Sequence, residues 1–410
     1  MKDMFDNVKK TQIRASGHKC WRFFVLCVII YLFVLNLCSC NMDNSVILEE
    51  TLPTQMTETS EPTKEPTEEP TERPLSSIAE EMVASLSLDE KIAQLFFLDF
   101  RTESSEEAFE ILENHAIGGV ILFAENINTF EQTREFVREL QSRSKIRLFI
   151  GIDEEGGRVV RTRALDVPAI NSALQIGETG NPKNAGSSAE TIASYISELG
   201  VNVDFAPVAD VFTNPENTVI GDRAFSRDAE TAAEFVIEFV EGLQSNGISA
   251  CVKHFPGHGD TTVDSHYGIA AVDYTLEELT SREFVPFKKG IDAGVDFVMV
   301  GHISAPRVTG NNETAIFSDV IINILRQNLG FNGVIITDSL QMGAIDLSSG
   351  EAAVKAFDAG IDILLMPRDF EEAFNALKTA VETSVVSEQR LDESVKRIIE
   401  LKIKRGLISY

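Results

Sequence analysis

Cysteine and tryptophan are scarce in this chain of 410 residues. Four of the five cysteines lie within the first 40 residues, and Cys251 is the single cysteine of the remaining chain. No intrachain disulfide can form beyond residue 40, so the folded part must depend on its hydrophobic core for stability. The one tryptophan, Trp21, also lies near the N-terminus, and therefore no tryptophan can line a ligand site in the rest of the chain.

Basic residues are few relative to acidic ones. The chain has 36 lysines and arginines against 64 aspartates and glutamates, which gives a net charge of −28 with histidine neutral. Residues 1–40 carry a charge of +4 and residues 41–76 carry −7, which leaves −25 for residues 77–410. A domain this acidic repels nucleic acids and other polyanions on average. We therefore expect no nucleic-acid partner, and any anionic ligand needs a local basic site.

The N-terminal apolar run, from Phe23 to Leu37, is shorter than the ~20 residues that a membrane-spanning helix prefers. Basic residues precede this run and Leu37-Cys38-Ser39-Cys40 ends it, a pattern typical of an export signal. Its end resembles a bacterial lipobox, in which Cys40 becomes the lipidated first residue of the mature protein. An uncleaved membrane anchor is the alternative. Either way, we expect the rest of the chain outside the cytoplasm, at a bacterial cell surface and attached to the membrane.

Residues 41–76 are rich in threonine, glutamate and proline and contain no aromatic residue. Such a segment cannot bury enough apolar surface to fold, and its prolines stiffen it into an extended spacer. We therefore expect three parts: a lipoprotein-type signal segment at 1–40, a disordered linker at 41–76 and one folded domain at 77–410.

Within the folded part, apolar runs alternate with amphipathic, helix-like stretches. Most of the runs are continuous, as expected for parallel strands that are buried on both faces. The runs are Ala93–Leu98, Gly118–Phe123, Arg147–Ile152, Val201–Ala206, Ser249–His254, Asp296–Gly301, Gly333–Thr337 and Asp362–Met366. The helix-like segments include Thr129–Ser142, Ala229–Asn246, Leu276–Ala293, Ser318–Gly330 and Ser387–Lys404, and Ser87-Leu88-Asp89-Glu90 indicates a capping box at a helix start.

About eight β/α units in ~330 residues predict an α/β fold, the (β/α)8 TIM barrel, as a single catalytic domain. A doubly wound open sheet is the alternative, but no glycine-rich phosphate-binding motif follows the first strand. Active sites of TIM barrels lie at the carboxyl ends of the strands. Unusual polar residues follow most of the predicted strands, and we expect them to meet at one rim: Asp153, Asp204, Arg223, Lys253, His254, His302 and Asp338.

Titratable residues are densest in Lys253-His254-Phe255-Pro256-Gly257-His258-Gly259-Asp260, which is followed by Asp264 and His266. At the end of a buried strand each such group needs a partner, so this density favours chemistry over core packing. Histidine and carboxylate clusters can bind zinc. However, the spacing matches no short metal motif, and Lys253 is a poor neighbour for a cation. We therefore expect no metal and no other cofactor, with a metal-dependent barrel hydrolase as the alternative.

Two further carboxylates are placed for catalysis. Asp338 ends a very apolar strand, where a carboxylate can attack an electrophilic carbon, although an aspartate there can also cap a helix. Asp264 lies two residues before His266, as an orienting partner for proton transfer near neutral pH. By contrast, Glu154 and Glu155 precede two glycines, which predicts a turn whose main effect is to position Asp153.

These residues resemble a known family. The stretch from Lys253 to Gly259, with Asp264-Ser265-His266, is similar to the signature of family 3 glycoside hydrolases of the β-N-acetylhexosaminidase (NagZ) branch. The similarity extends in the family's order from about Leu86 to Arg405. Its other motifs are Asp153-Glu154-Glu155-Gly156-Gly157-Arg158, Asn202-Val203-Asp204-Phe205-Ala206-Pro207, Ile220-Gly221-Asp222-Arg223-Ala224-Phe225 and Thr337-Asp338-Ser339-Leu340-Gln341-Met342.

The resemblance implies a two-step hydrolysis that retains the anomeric configuration. Asp338 is then the nucleophile, and His266, oriented by Asp264, is the acid/base. The residues implied to bind a terminal N-acetylglucosamine (GlcNAc) are Asp153, Arg223, Lys253 and His254, with His302 and Met342 as weaker candidates. The implied substrates are peptidoglycan fragments or other GlcNAc-ended glycans, and we expect a monomer. A family 3 β-glucosidase and a glycan-binding lipoprotein without catalysis remain the alternatives.

Overall fold

The computed structural model describes residues 73–101, 105–261, 270–343 and 345–410. The predictions for the signal segment, for Cys40, for most of the linker and for Asp264 and His266 therefore lie outside the described residues. Among the described helices, none is long and apolar enough to cross a lipid bilayer.

Eight parallel strands form the barrel, and each lies within or overlaps a predicted apolar run. They are β1 (Phe96–Asp99), β2 (Gly119–Leu122), β3 (Phe149–Ile152), β4 (Val203–Asp204), β5 (Ser249–Phe255), β7 (Phe297–Val300), β9 (Val334–Thr337) and β10 (Leu364–Leu365). The short strands β6 (Ala270–Ala271) and β8 (Ile303–Ser304) pair with each other outside the barrel sheet.

Strands that follow each other in the chain are neighbours in the sheet, from β1 through β5 to β7 and β9. The last strand returns to the first, since Phe97 of β1 pairs with Leu365 of β10. A parallel bridge between Ile336 and Ile363 joins the remaining edge. This order confirms the predicted barrel. It excludes a doubly wound sheet, because the strand order of such a sheet reverses at a switch point.

The helices cover the outside of the barrel. Their bounds are Leu75–Ser85, Leu88–Ala93, Ser105–Asn114, Phe130–Arg143, Ala173–Gly177, Lys183–Glu198, Ala229–Ser245, Leu276–Ser281, Phe284–Asp292, Pro306–Thr309, Asp319–Asn323, Ser349–Ala359, Phe370–Glu382 and Glu388–Lys404. The predicted capping box is present, because the Ser87 side chain accepts from the backbone N–H of Glu90 and the Glu90 side chain accepts from that of Ser87.

Two predicted helices are less regular than expected. The segment 276–293 forms two helices that break at Arg282 and Glu283. Pro286 explains the break, because proline lacks the N–H that a continuous helix needs there, whereas it is tolerated in the first turn of a new helix. The segment 318–330 begins as an α-helix and continues as a π-helical turn over Ile324–Asn328.

Phenylalanine fills much of the interior. The rings of Phe97 and Phe205 meet edge to face with 5.4 Å between centroids. Gly151 allows this packing, since a β-carbon there would lie 2.7 Å from the Phe205 ring. Phe235 and Phe239, on the helix Ala229–Ser245, are each 1% exposed. Buried aromatic rings in edge-to-face contact stabilise the fold through the apolar surface that they remove from water.

The C-terminal helix, Glu388–Lys404, closes the barrel at the amino ends of the strands through buried ion pairs. Asp362, which precedes β10, is fully buried and accepts from Arg326 and from Arg397 Nη1 at 3.2 Å. Arg390 Nη1 lies 3.8 Å from the same carboxylate, and Ser394 Oγ donates to it at 2.6 Å. Three arginines thus surround one carboxylate.

A second aspartate at this end is also surrounded by cations. Asp296, which precedes β7, is paired with Lys404 Nζ at 2.9 Å and Arg405 Nε at 2.5 Å, and it accepts from Ser249 Oγ at 2.8 Å. Its carboxylate therefore links β5 and β7 to the end of the C-terminal helix through hydrogen bonds and ion pairs.

A lysine that contacts no carboxylate among the described residues completes this end of the barrel. The Lys402 side chain is fully buried, and its Nζ donates to Gln94 Oε1 at 2.8 Å and lies 5.1 Å from the centroid of the Phe149 ring. Burial lowers the pKa of Lys402 to about 7, because the charged ammonium loses its hydration there.

Candidate active site

The carboxyl ends of the strands enclose a pocket of about 490 Å³. Each of the eight barrel strands contributes a lining residue at or beyond its carboxyl end: Arg101, Phe123, Asp153, Arg223, His254, Met299, Asp338 and Met366. This is the position that the barrel topology predicts for an active site.

Six of the residues that the sequence predicted for the site line this pocket: Asp153, Arg223, Lys253, His254, Asp338 and Met342. His302 is placed differently. It is 0% exposed, and its Nε2 lies 2.9 Å from the carbonyl oxygen of Ser339. His302 thus supports the turn after β9 instead of lining the pocket. Asp204 is also fully buried, where its Oδ1 accepts from the backbone N–H of Glu154 at 3.0 Å, and burial raises the pKa of Asp204 well above its usual value.

Asp338 follows β9 directly and is half-buried at the pocket wall. Its backbone N–H donates to the Val300 carbonyl at 2.8 Å, which extends the sheet pairing by one residue. Its Oδ1 accepts from the N–H of Ser339 at 2.7 Å. No described helix begins here, since the next one starts at Ser349. The helix-cap alternative therefore does not apply, and the carboxylate is available to a ligand in the pocket.

Lys253, at the end of β5, is the centre of a charge network beside Asp338. Its Nζ lies 2.8 Å from Asp153 Oδ1 and 2.6 Å from Glu155 Oε1, and the residue is 2% exposed. Burial alone would lower the pKa of Lys253, but the two carboxylates outweigh it and raise this pKa above its usual range. The lysine is therefore a fixed positive charge in the pocket wall.

Glu155, which the sequence predicted only as part of a turn, joins Lys253 to Arg223. Arg223 Nε and Nη2 each donate to the Glu155 carboxylate at 2.8 Å. Burial would raise the pKa of Glu155, but Arg223 and Lys253 outweigh it and hold this pKa well below its usual range. Glu155 lies two residues after Asp153, and side chains two apart in an extended chain point the same way, which was the available signal.

The predicted turn after Glu155 is present. Gly156 and Gly157 adopt positive φ angles of 85° and 56°. A β-carbon at either position would lie 2.7 Å from Ile170 or Ser172 side-chain atoms. Glu154 points away from the pocket, where it accepts from Thr162 Oγ1 at 2.6 Å and Tyr195 Oη at 3.0 Å (two buried donors). The Glu155 side chain therefore faces the pocket, whereas the Glu154 side chain faces away from it.

Arg161 is a lining residue that the sequence analysis missed. Its Nη2 lies 3.0 Å from Asp153 Oδ2. Burial would raise the pKa of Asp153, but Lys253 and Arg161 outweigh it and lower this pKa. Among the described residues, none accepts a hydrogen bond from Arg161 Nε, although this atom is buried. Arg161 thus contributes a second cation beside Asp153.

His254, near the end of β5, and His258, just after it, also line the pocket, and we call residues 254–258 the histidine turn. His254 Nδ1 lies 2.8 Å from Asp210 Oδ2, and its Nε2 lies 3.4 Å from Arg223 Nη2. His258 Nδ1 lies 2.7 Å from Thr261 Oγ1, and burial lowers the pKa of His258. These contacts brace the loop after β5, and His258 also lines the pocket. Asp210 did not figure in the sequence analysis.

The outer rim of the pocket carries another polar group. Arg101 Nε donates to Asp99 Oδ2 at 2.7 Å, and its Nη2 donates to Gln341 Oε1 at 3.3 Å. The guanidinium carbon of Arg101 lies 3.9 Å from the centroid of the Phe123 ring. These contacts fix an aromatic ring and two hydrogen-bonding side chains at the entrance.

The arrangement suits a polar, hydroxyl-rich ligand. Fixed donors and acceptors from several strands surround a half-buried carboxylate, as needed to orient a substrate against a nucleophile. Among the residues that the structure describes, no three histidine, cysteine, aspartate or glutamate side chains are grouped so that they could hold a metal ion.

Comparison with known proteins gives one consistent family. Residues 87–401 match the profile of the glycosyl hydrolase family 3 N-terminal domain. Beta-hexosaminidase A of Pseudoalteromonas piscicida is 33% identical over 368 residues, and the match covers 78% of this chain and 61% of that protein. Beta-hexosaminidase LpqI of Mycobacterium tuberculosis is 31% identical over 330 residues, which cover 78% of this chain and 84% of that protein.

Solved structures agree with the sequence matches. The structure of a glycoside hydrolase family 3 beta-N-acetylglucosaminidase from Paenibacillus sp. has a TM-score of 0.76 at 37% identity, over 80% of this chain and 64% of that chain. This chain thus spans less than two thirds of the length of the Pseudoalteromonas and Paenibacillus proteins.

Proposed function

Because this chain belongs to glycosyl hydrolase family 3, we propose that it is an exo-acting, retaining β-N-acetylhexosaminidase. Its substrates are peptidoglycan fragments or other glycans that end in GlcNAc. The names of its relatives support this sugar preference, since both sequence relatives described above are beta-hexosaminidases. The observation that carries the proposal is the half-buried Asp338 carboxylate in a pocket lined with fixed hydrogen-bond donors.

The proposed reaction has two steps. Asp338 attacks the anomeric carbon while His266, oriented by Asp264, protonates the leaving oxygen. In the second step, His266 takes a proton from water, which then displaces Asp338 from the glycosyl-enzyme. Retaining glycosidases usually use a second carboxylate for this proton transfer, and a histidine–aspartate pair can do the same work near neutral pH.

The charge network supports recognition of the terminal sugar. Lys253 and Arg223 carry N–H donors whose positions are fixed by Asp153 and Glu155. Arg161 also lines the pocket, and its Nη2 lies 3.0 Å from Asp153 Oδ2. In a site built to hydrogen-bond hydroxyl groups, a substrate without them leaves these donors unpaired, which is the physical basis of strong discrimination.

A substrate panel tests the sugar preference. Full-length protein is assayed on chromogenic β-GlcNAc and β-glucose substrates, with and without EDTA. We expect release from β-GlcNAc in both conditions. Faster release from β-glucose would favour the β-glucosidase alternative, loss of activity in EDTA would favour a metal-dependent hydrolase, and no turnover of any glycoside would favour a binding protein.

Asp338→Ala tests the nucleophile. We expect kcat/KM on β-GlcNAc to fall by at least ~10³-fold, because the covalent step loses its attacking group. Asp222→Asn is a suitable control, since Asp222 forms an exposed ion pair with Arg158 beside the site. Activity in the Asp338→Ala variant similar to that of the control would contradict the assignment.

His266→Ala tests the proton donor with two substrates. A glycoside with a poor leaving group needs protonation in the first step, whereas one with an activated leaving group does not. We therefore expect a much larger loss of kcat/KM for the poor leaving group. Equal losses on both substrates would argue against the acid/base role.

We also propose that the enzyme is monomeric and is attached to the outer side of a bacterial membrane through a lipidated Cys40. The basis is the order of basic, apolar and small residues at the N-terminus together with the proline-rich segment that follows. A fatty-acid analogue fed to cells that express the protein should label the wild type but not Cys40→Ala. Light scattering after size-exclusion chromatography measures the oligomeric state.

A further inference from the structure

A buried carboxylate beneath the histidine turn has no part in the mechanism described above. Asp210 is 0% exposed. The segment that carries it runs beside the end of β5, where Val208 forms a parallel bridge with Lys253 and the Ala209 N–H donates to the Lys253 carbonyl at 2.7 Å. This pairing fixes the backbone of Asp210 next to His254.

The Asp210 carboxylate accepts from both ends of the histidine turn. Its Oδ2 lies 2.8 Å from His254 Nδ1, and its Oδ1 accepts from the backbone N–H of His258 at 2.6 Å. The backbone N–H of His254 lies 3.3 Å from both oxygens. A carboxylate has enough lone pairs for three donors, whereas an asparagine has one acceptor oxygen and adds two N–H donors.

These contacts determine which nitrogen of the His254 imidazole ring carries the proton. Burial would raise the pKa of Asp210, but His254 and the other donors from the turn outweigh it and lower this pKa, so the group is an anion. An anionic carboxylate can only accept, and therefore His254 Nδ1 must carry a proton. Arginine can only donate. His254 Nε2, which lies 3.4 Å from Arg223 Nη2, accordingly presents a lone pair to Arg223 and the pocket.

We propose that Asp210 is a positioning residue that holds His254 in the Nδ1–H tautomer, with Nε2 directed at Arg223 and the substrate. The hydrogen bond from His258 keeps the carboxylate in place while it does so. Buried partners of this kind fix the tautomer and the ring orientation of functional histidines in other sites. Asp210 acts within the proposed hydrolase site, so its effect on turnover rests on the proposed function.

A double-mutant cycle separates positioning from a general role in the fold. In the full-length protein, Asp210→Asn should lower kcat/KM for a chromogenic β-GlcNAc substrate by about 10- to 100-fold. In the His254→Ala background, the same change should lower it by less than about 3-fold, because the group that Asp210 orients is already absent. Equal losses in the two backgrounds would overturn the proposal.

Spectroscopy tests the tautomer even if the Asp210 variant does not fold or the protein hydrolyses no glycoside. Full-length protein labelled with 15N-histidine gives long-range nitrogen–proton correlations, and His254→Ala identifies the signals of His254. We expect a proton on Nδ1 in the wild type, and a bare Nδ1 would overturn the proposal. Lack of turnover with a protonated Nδ1 would instead contradict the proposed function alone.

Asp296→Asn is the matched control for both measurements. Asp296 is also a buried, hydrogen-bonded aspartate, but it lies at the opposite end of the barrel. We expect this change to leave the His254 signals and the kcat/KM of the folded enzyme unchanged. Shifted His254 signals in this control would show that the tautomer changes whenever the fold is destabilised, and they would overturn the role of Asp210.

Discussion

At the amino ends of the strands, Asp296 and Asp362 are each surrounded by more than one cation, whereas at the carboxyl ends Asp153, Glu155 and Asp338 line an open pocket. The cations at the amino ends come from the C-terminal helix and the segments beside it, and they enclose their carboxylates. At the carboxyl ends, the cations share carboxylates and still present donors to the pocket. The ion pairs at the amino ends stabilise the fold, whereas those at the carboxyl ends also leave N–H donors that can bind a ligand.

Two buried lysines show the same difference. Lys253 is 2% exposed and lies between two carboxylates, which raise its pKa above the usual range although burial opposes this. Lys402 is 0% exposed and contacts an amide oxygen, and burial lowers its pKa to about 7. Burial alone therefore does not decide whether a lysine is charged, because the neighbouring charges can reverse its effect.

The largest effect is expected from breaking the ion pairs at the amino ends. Asp362→Asn leaves Arg326, Arg390 and Arg397 without their shared carboxylate, and it should lower the free energy of unfolding by about 3–5 kcal/mol. Urea unfolding followed by circular dichroism measures this. Asp89→Asn, which breaks the exposed pair with Lys378, is the control and should lower the free energy of unfolding far less, because water screens an exposed pair. Similar losses in both variants would mean that burial does not strengthen the cluster.

The next effect depends on pH and concerns Lys402. Because its pKa is about 7 in the folded protein and 10.5 is the ordinary value, the unfolded chain binds more protons between these values. The free energy of unfolding should therefore rise with pH in this window, by up to about 1.4 kcal/mol per pH unit, and the contribution of Lys402 to it should stop changing with pH below the folded pKa.

Unfolding at pH 7 and pH 9 compares the wild type with Lys402→Met. We expect the stability difference, wild type minus variant, to increase by about 2–3 kcal/mol between these pH values. Lys289→Met is the control, since Lys289 is exposed on the surface. A difference that stays constant from pH 7 to pH 9 would show that Lys402 is protonated in the folded protein.

At the carboxyl ends, Glu155→Gln should affect turnover. It removes the charge that holds Arg223 and one of the two that hold Lys253, while the shape of the side chain is kept. Loss of hydrogen bonds to charged groups corresponds to about 1.5–3 kcal/mol, so we expect kcat/KM to fall by about 10- to 100-fold. Glu113→Gln, in an exposed pair with Arg143, is the control. An unchanged kcat/KM would mean that Asp153 alone positions Lys253.

The smallest effect is expected at Lys404. Its side chain is 52% exposed, and Arg405 also holds Asp296. Lys404→Ala should therefore lower the free energy of unfolding by about 1 kcal/mol or less, with kcat unchanged. A loss as large as that in Asp362→Asn would contradict the view that Asp296 has a redundant partner.

The barrel was predictable because its strands are short and almost wholly apolar. Val334–Thr337 and Gly119–Leu122 are buried along their whole length, and such runs stand out in the sequence without knowledge of their neighbours. The breaks in the helices were harder to predict from the sequence. Pro286 was a visible signal for the break at Arg282 and Glu283, whereas we find no sequence signal for the π-helical turn at Ile324–Asn328.

Local sequence also determined most of the candidate site. Asp153 and Asp338 each follow a strand directly, and Lys253 and His254 lie near the carboxyl end of β5, which in a parallel barrel places all four at one rim whatever their partners are. His302 shows the limit of this reasoning. It also follows a strand, but its ring turns toward the Ser339 carbonyl and away from the pocket.

The partners of these residues were decided by the tertiary structure. Lys253 meets Asp153 across 100 positions of sequence, Arg223 meets Glu155 across 68, and His254 meets Asp210 across 44. Strand periodicity is a property of neighbouring residues and can be recognised from the chain itself. Ion pairs and tautomers depend on distances through space, and these exist only once the barrel has brought separate strand ends together.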